Sequence, residues 1–468
     1  MRFSLVVLIS AFVFNFSFSQ SSDASIDEDA FYVRKIYDEV LTNSPSMNWL
    51  KYLTKNIGPR LAGSPQAAAA VEYTRQLMEE LGFDTVYLQP CLVPHWTREG
   101  KETVTIVNSS SRGSISLNAL SLGNSVATPK GGITAEVIEV FSLDTLNTLG
   151  RENIAGKIVF FNRPLDPTQL NTFAAYGGAV DQRALGASRA GELGAVGVLV
   201  RSMTTRNDDV PHTGSMIYEE GIQNKIPGIA ISTNDANLLS DLLKKEPIRV
   251  FMESFGKIHP QKPSFNVIGE IKGSTYPEEI ILVGGHLDSW DVGEGAHDDG
   301  TGCIQSIAVL HTLLKMNYQP KRTIRAVMFM NEENGLAGGK AYWKTSNEKN
   351  EFHLAAIESD RGGFTPRGFT CDGDSKVFNY RFAQVIEWLP LLEPYGLYFQ
   401  KGGSGADISG LKSQGGLLFG LVPDSQRYFD YHHTPIDTYE AVNQRELNLG
   451  TAAMTSLVFL IDRYGLGE

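Results

Sequence analysis

Cysteine, excess positive charge and long apolar runs are all scarce in this chain of 468 residues. The three cysteines, Cys91, Cys303 and Cys371, are too few for a disulfide-stapled fold, and no two of them have zinc-knuckle spacing. The formal net charge of -12 argues against the basic surface that binds nucleic acid. No segment offers the roughly 20 consecutive apolar residues of a membrane span. We therefore expect a globular protein that binds no nucleic acid and has no stable membrane span.

The first nineteen residues have the pattern of a secretory signal peptide. Arg2 supplies a positive charge, residues 5–16 form a short apolar core, and Ser17 and Ser19 are small residues at the expected cleavage positions. A single membrane anchor is the alternative, but the apolar core is too short for it. We expect cleavage after residue 19 and export to the periplasm or the extracellular space.

The rest of the chain divides into four parts by amino-acid composition and by the pattern of predicted strands and helices. Residues 20–45 predict either a pro-segment or an N-terminal helix, and residues 46–109 the first part of a catalytic domain. Residues 110–262 are rich in Gly, Ser and Thr with short β runs, which predicts an inserted β-rich domain that ends in a linker at Pro260 and Pro263. Residues 263–468 alternate between strands and helices. The fold class predicted is α/β, a mixed sheet flanked by helices.

Histidines and carboxylates gather where predicted strands end, the edge at which such sheets bind ligands. Each signal alone has an ordinary explanation: a structural histidine, a helix cap at Asp299, or a solvated Glu pair. Together, two His and three carboxylates suit two zinc ions that share one bridging carboxylate, and a further Glu is available as a base. The residues concerned are His286, Asp298, Glu332, Glu333, Asp360 and His433. Asp288, two residues after His286, can hold one of its ring nitrogens and leave the other free for a metal.

Five segments resemble the motifs of the co-catalytic di-zinc exopeptidases, a family of aminopeptidases and glutamate carboxypeptidases. They are "GGHLDS", "GAHDDGTG", "NEENGLAGG", "ESDRGG" and "HHTPIDT". The resemblance implies two Zn²⁺ bound by His286, Asp298, Glu333, Asp360 and His433, with Asp298 bridging. It also implies that Glu332 is the general base, that Asp288 orients His286, and that the Asp298–Asp299 peptide is cis.

Two further segments narrow the resemblance. "IGPRLAGS" (57–64) and "VPHW" (93–96) are similar to N-terminal motifs of a secreted dipeptidase subgroup of this family. In that subgroup the inserted domain is a protease-associated domain, so residues 110–262 are interpreted as one. The same resemblance implies that the protein can form a homodimer.

The chain departs from the family pattern beside the last ligand. His432 occupies the position at which many members have a Tyr that stabilises the oxyanion, so His432 either takes that role or is structural. His297 is interpreted as a residue that supports the site without ligating metal. Arg361, Ser404 and Asp407 are candidates for binding a peptide terminus, and ordinary loop structure is the alternative for all three.

The predicted function is hydrolysis of dipeptides or short peptides by a two-zinc-bound hydroxide, with Glu332 as general base. A metallo-exopeptidase is therefore expected. One alternative is a single-zinc acyltransferase of the glutaminyl cyclase type on the same fold. The other is a receptor or scaffold that has lost the chemistry, but such a protein should lack ligands or the base.

Overall fold

The computed structural model describes the backbone of residues 21–467 and the side chains from residue 27 onward. The predicted signal peptide, residues 1–19, lies outside this range. Within it, no helix combines the length and apolarity needed to cross a membrane.

The described residues form sixteen strands in two sheets. In chain order the strands are β1 (Thr85–Arg98), β2 (Thr103–Ser109), β3 (Gly113–Leu117), β4 (Ala119–Ser121), β5 (Ile133–Val140), β6 (Ile158–Phe161), β7 (Gly197–Arg201), β8 (Gly228–Ile231), β9 (Arg249–Glu253), β10 (Gly256–Ile271), β11 (Tyr276–His286), β12 (Arg322–Phe329), β13 (Phe352–Glu358), β14 (Pro366–Gly373), β15 (Tyr398–Lys401) and β16 (Leu417–Pro423).

Thirteen α-helices accompany these strands in the described part of the chain. They are α1 (Ser21–Asn43), α2 (Ser46–Lys51), α3 (Pro65–Glu80), α4 (Leu143–Ile154), α5 (Thr172–Gly177), α6 (Asp181–Glu192), α7 (Thr233–Leu243), α8 (Thr301–Lys315), α9 (Ala337–Glu348), α10 (Phe378–Glu387), α11 (Leu389–Leu392), α12 (Tyr428–Tyr431) and α13 (Gln444–Tyr464).

The first sheet has the strand order β1-β10-β12-β11-β13-β16-β14-β15. Its four central strands run parallel. The pairs β1–β10, β10–β12 and β16–β14 are antiparallel and β14–β15 is parallel, so the predicted mixed sheet is confirmed. Side chains alternate across β11: Ile281 and Val283 face the core shared with α8 and α13, and Ile280 and Leu282 face the side covered by α9. Helices on both faces explain why these strands are apolar throughout.

The second sheet has the order β3-β2-β9-β5-β6-β7-β8-β4 and is built from strands between residues 103 and 253. The predicted linker at Pro260 and Pro263 is wrong, because both residues lie inside β10, which pairs with β1 from Gly256 to Glu270. The two prolines are tolerated because β12 pairs only with residues 267–271 of β10, which leaves the proline segment with one neighbouring strand. The predicted boundary at residue 110 likewise falls between two paired strands, β2 and β3.

Helix α1 packs into the main core. Ile36 and Val40 are fully buried, and Tyr32 stacks on Phe459 of α13 with ring centroids 4.4 Å apart. Phe31, which shares the helical periodicity in the sequence, is instead 59% exposed. The buried face of α1 therefore consists of Ile36 and the positions three and four residues away from it. This face packs into the main hydrophobic core.

Candidate metal centre

Parallel strands bring three of the predicted ligands to one edge of the first sheet. His286 is the last residue of β11, Glu332 and Glu333 follow β12, and Asp360 follows β13. Because β12, β11 and β13 are adjacent and parallel, their carboxyl ends lie side by side. The buried apolar residues of these strands thus fix the positions of the polar residues at the strand ends.

The other two predicted ligands come from turns. Asp298 lies in the helical turn Ala296–Gly300 that leads into α8, and the peptide bond to Asp299 is cis, as the resemblance implies. His433 follows α12 and has a left-handed backbone with φ of 62°. All five predicted ligands meet at the same place.

The two carboxylate oxygens of Asp298 face different partners. Oδ1 lies 3.2 Å from Nε2 of His286, and that nitrogen lies 3.3 Å from Oδ1 of Asp360. Oδ2 lies 3.3 Å from Nε2 of His433, which is 3.1 Å from Oε2 of Glu333. Two groups of donors therefore share one carboxylate, and ligand atoms of three side chains at a time lie within 4.8 Å of one another.

The buried cluster contains more carboxylates than histidines, so its negative charge is not compensated by its own side chains. Burial, with Asp298 adding to it, raises the pKa of Glu333 well above its usual range, and burial also raises the pKa of Asp360. Burial lowers the pKa of His433 well below its usual range, which favours the neutral imidazole that binds metal. Oδ2 of Asp298 and Oε1 of Glu333 accept no hydrogen bond from the described residues. Such a cluster is stabilised by a bound cation.

Asp288 has a different role from the predicted one. The nitrogen Nδ1 of His286 donates to the backbone carbonyl of Asp288 at 2.9 Å, whereas its distance to the carboxylate is 3.9 Å. The carboxylate Oδ1 instead accepts from the backbone N–H groups of Asn331 at 2.6 Å and Glu332 at 3.0 Å. The prediction that the Asp288 carboxylate orients His286 is therefore wrong: that side chain fixes the backbone at Glu332.

Glu332 presents its carboxylate to the pocket beside the ligand cluster. Burial, together with the charges of Asp360 and Asp298, raises its pKa to about 8 although His286 opposes the shift. No side chain among the described residues donates a hydrogen bond to this carboxylate. Its carboxyl group is therefore free of side-chain partners and lies next to the candidate metal ligands, where a bound cation would favour the ionised form.

Asp299 and His297 support the turn, as the sequence predicts. Asp299 accepts from Gly302 N–H at 2.9 Å and so caps the start of α8. Both ring nitrogens of His297 are engaged by backbone, since Gly363 N–H donates to Nδ1 and Nε2 donates to the Ala441 carbonyl. His297 is therefore a structural residue, and burial lowers its pKa to about 4.

Arg60 is a site residue that sequence reasoning missed. It is fully buried and donates to the carbonyls of Leu287 at 2.6 Å, Glu294 at 2.8 Å and Gly295 at 2.9 Å. These carbonyls belong to the loop that connects His286 to Asp298. The signal was present in the "IGPRLAGS" segment, where a charged residue stands among apolar and small ones.

A pocket of about 360 Å³ opens in front of the candidate metal centre. Its wall contains the predicted Arg361, Ser404 and His432, but Asp407 is fully buried and does not line it. The prediction that Asp407 binds a peptide terminus is therefore wrong. The hydroxyl of Ser404 has no partner among the described residues, and the ring of His432 stacks on that of His433 with centroids 3.4 Å apart.

The pocket wall also contains residues that the sequence did not single out. Phe173, Tyr176 and Arg183 come from the segment between β6 and β7, so the second sheet's connections form one side of the pocket. Tyr428 adds a buried phenol, whose pKa is raised well above its usual range by burial and by Asp298. Only the aromatic run "YFDYHH" next to His433 hinted at Tyr428.

Comparison with known proteins identifies the family. The model of peptidase family M28 matches residues 266–458. Carboxypeptidase Q from Bos taurus is 35% identical over 416 residues, which cover 88% of this chain and 84% of that protein.

Two solved structures agree with this result. A peptidase M28 precursor from Shewanella amazonensis SB2B is 34% identical, with a TM-score of 0.87 over 93% of this chain and 97% of that one. A zinc aminopeptidase from Bacillus subtilis shares the fold at 20% identity, with a TM-score of 0.63 over 90% of this chain and 96% of that one. The resemblance predicted from the motifs is confirmed. The chain belongs to peptidase family M28 and is a metallo-exopeptidase.

Proposed function

We propose that this protein is an exported zinc exopeptidase that hydrolyses dipeptides or short peptides, with two zinc ions and Glu332 as the general base. The observation that carries the proposal is the division of Asp298. One of its carboxylate oxygens lies beside His286 and Asp360, and the other beside His433 and Glu333. This is the donor arrangement that a bridged pair of cations requires.

The residues present fit zinc. Imidazole nitrogen and carboxylate oxygen are its usual ligands outside cysteine sites, and each half of the cluster offers one histidine, one terminal carboxylate and the shared Asp298. In neutral His286, Nδ1 donates to the Asp288 carbonyl, so the lone pair that would bind metal is on Nε2, beside Asp298. The acceptor atoms without donors on Asp298 and Glu333 also fit this interpretation.

When bound, zinc supplies positive charge that polarises a carbonyl and makes a water molecule more acidic. Glu332 then accepts the proton of the attacking water and delivers it to the leaving amine. The Asp288 carboxylate holds the Glu332 backbone in position through its N–H. His432 and the Tyr428 hydroxyl are the polar groups of the wall that can donate to a developing oxyanion, and Arg361 and Ser404 can contact the ends of a peptide.

Three finer features belong to this proposal. The N-terminal pattern supports removal of residues 1–19 and export. The second sheet, with its helices, is proposed to be a protease-associated domain, and its side chains in the pocket wall support a part in substrate binding. A homodimer is proposed from the family resemblance, and light scattering of the purified protein tests it.

The activity is tested with free dipeptides as substrates, in the presence of zinc and after chelation. Glu332→Gln should lower kcat by roughly 10²- to 10⁴-fold, since a general base contributes about that much, while zinc content stays unchanged. Glu348→Gln, on the exposed face of α9, is the matched control and should retain full activity. A Glu332→Gln enzyme that hydrolyses dipeptides at the wild-type rate would refute the assignment of the base.

Metal content separates the proposal from the acyltransferase alternative. Fully active enzyme should hold two zinc ions per chain, and Asp298→Asn should lose affinity for both because the shared carboxylate serves both groups. Elemental analysis after gel filtration measures this. A stable content of one zinc ion in fully active enzyme would contradict the two-metal mechanism and favour the single-zinc alternative.

A further inference from the structure

We propose that Asp407 keeps its proton at neutral pH and donates a hydrogen bond to Glu358, which makes Asp407 a positioning residue for the pocket wall. The inference goes beyond the proposed function, because it concerns two carboxyl groups that belong neither to the ligand cluster nor to the base. Glu358 is the last residue of β13, two residues before the candidate ligand Asp360, and it lines the pocket. Asp407 lies in the loop that precedes the helical turn Ser409–Gln414.

Asp407 is a fully buried carboxyl group without a donor. Its exposed fraction is 0%, and neither of its side-chain oxygens has a hydrogen-bond partner among the residues that the structure describes. A carboxylate in that position would lose its hydration without any compensating bond. Burial, with the charges of Glu358 and Glu332 adding to it, raises the pKa of Asp407 well above its usual range. The group is therefore a carboxylic acid, and its O–H needs an acceptor.

Glu358 offers that acceptor. It is 1% exposed, and its Oε2 accepts a hydrogen bond from the Ile408 N–H at 3.0 Å, whereas Oε1 is buried without a partner in the described part of the chain. The bond to Ile408 brings the Glu358 carboxyl group to the residue that follows Asp407. Of all charges, that of Glu358 contributes most to the raised pKa of Asp407. One proton on Asp407 thus gives both unpartnered groups a hydrogen bond and removes the repulsion between two neighbouring negative charges.

Backbone closes in on this pair from two sides. A Cβ at Gly339, in the first turn of α9, would lie 2.7 Å from Oδ1 of Asp407. A Cβ at Gly405 would collide with the carboxyl group of Glu358. Because the chain at both glycines lies directly against the carboxyl groups, the two side chains have little freedom to move apart.

The pair fixes one wall of the pocket. Ser404, which lines the pocket, lies three residues before Asp407 on the same loop, and Asp360 follows Glu358 by two residues. A hydrogen bond between the two carboxyl groups therefore holds the end of β13, with its candidate ligand, against this loop. Groups that support a ligand in this way commonly affect both metal affinity and activity.

Infrared spectroscopy of the zinc-loaded full-length protein tests the protonation directly. A carboxylic acid has a C=O stretching band that a carboxylate lacks, so the spectrum of wild type minus that of Asp407→Asn should contain this band at neutral pH. Glu358→Gln should keep the band and move it to higher frequency, because a hydrogen bond to a neutral amide is weaker than one to a carboxylate. Asp241→Asn, at an exposed position of α7 where Asp241 pairs with Lys244, is the control and should leave the band unchanged.

Dipeptide hydrolysis and zinc affinity test the positioning role. Asp407→Asn replaces the O–H donor with an N–H donor of nearly the same shape, so kcat/KM and the affinity for zinc should stay within about threefold of wild type. Asp407→Ala removes the donor and should lower one or both by roughly 10- to 100-fold, the usual effect of losing a group that supports a metal ligand.

Several results would overturn the inference. A loss in Asp407→Asn as large as that in Asp407→Ala would mean that Asp407 acts as a carboxylate, and wild-type behaviour of Asp407→Ala would mean that it positions nothing. Absence of the infrared band would refute the protonation, and a band that does not move in Glu358→Gln would refute the pairing. If wild type hydrolyses no dipeptide, the proposed function fails, while the infrared and zinc-affinity results still decide the part of Asp407.

Discussion

A single residue, Asp298, sets the geometry of the candidate centre by facing two groups of candidate ligands. Its own position depends on neighbours that touch no metal ligand atom. Asp437 accepts hydrogen bonds from the Asp298 N–H at 3.1 Å and from the His297 N–H at 2.8 Å, so it fixes the backbone of this turn. Arg60 fixes the preceding loop by three carbonyl contacts. Residues of this kind decide whether the ligands are preorganised.

Arg60 gives a prediction at this scale. Arg60→Lys should destabilise the protein by about 2–4 kcal/mol and lower kcat about tenfold or more. The single ammonium of lysine cannot donate to all three carbonyls that the planar guanidinium of Arg60 contacts. Urea denaturation and dipeptide hydrolysis measure the two effects. Arg75→Lys on the exposed face of α3, where Arg75 pairs with Glu72 and Glu79, should change neither. Wild-type stability in Arg60→Lys would contradict this account.

At the scale of elements, α1 belongs to the catalytic core. Its buried residues contact α13, and Arg463 of α13 forms an ion pair with Asp29 at 2.7 Å. Tyr37 stacks on Tyr395 with ring centroids 3.9 Å apart. These contacts favour the N-terminal helix over the pro-segment among the two predictions for residues 20–45, because removal of α1 would expose a large apolar surface.

Two variants of α1 test this interpretation. Ile36→Ala should lower the free energy of unfolding by about 2–4 kcal/mol, since Ile36 is fully buried and its truncation leaves a cavity. Phe31→Ala is the control on the same helix and should change it by less than about 0.5 kcal/mol, because Phe31 is mostly exposed. Denaturant titration of the zinc-loaded protein measures both. Equal effects would mean that α1 is not docked as described.

The elements also show what the sequence could predict. The strands that carry ligands were predictable, since each is a short apolar run ending in His, Asp or Glu. Strand β10 was not, because Pro260 and Pro263 read as a linker and only pairing with β1 makes them part of a strand. The place of Arg183 in the pocket wall was not predictable, since no recognisable motif surrounds residue 183 in the chain. Its position in the pocket results from the docking of two sheets, which leaves no local pattern.

At the scale of the whole molecule, the segment that contains the second sheet holds the backbone at His433, the last candidate ligand in the chain. Thr213 N–H donates to the His433 carbonyl at 3.0 Å, and His212 Nδ1 donates to the His432 carbonyl at 2.8 Å. Trp290, from the loop between the ligands, packs against Gly123, where any side chain would collide with its ring. Metal binding and the docking of the two sheets should therefore be coupled.

Hydrogen exchange tests this coupling. Chelation of zinc should raise exchange by at least about tenfold at residues 432–434 and also at residues 212–214, because both segments share the same contacts. Amides within β6 and β7 should keep their protection, because these strands lie inside the second sheet and one of their faces packs in a core made of that segment's own residues. An increase confined to residues 432–434, or one spread evenly over the chain, would contradict the coupling.

Strands β1 and β10 pair along nearly their whole length, and the second sheet lies between them in the chain. Strand β1 is at the edge of its sheet, so β10 is its only neighbour among the strands that the structure describes. During synthesis, β1 therefore leaves the ribosome long before the strand that covers it, and it remains an unpaired edge open to aggregation. Early folding of the intervening sheet would bring residues 98 and 256 together and lower the entropy lost when the pair closes. The order in which the chain emerges thus makes the second sheet an aid to folding of the first.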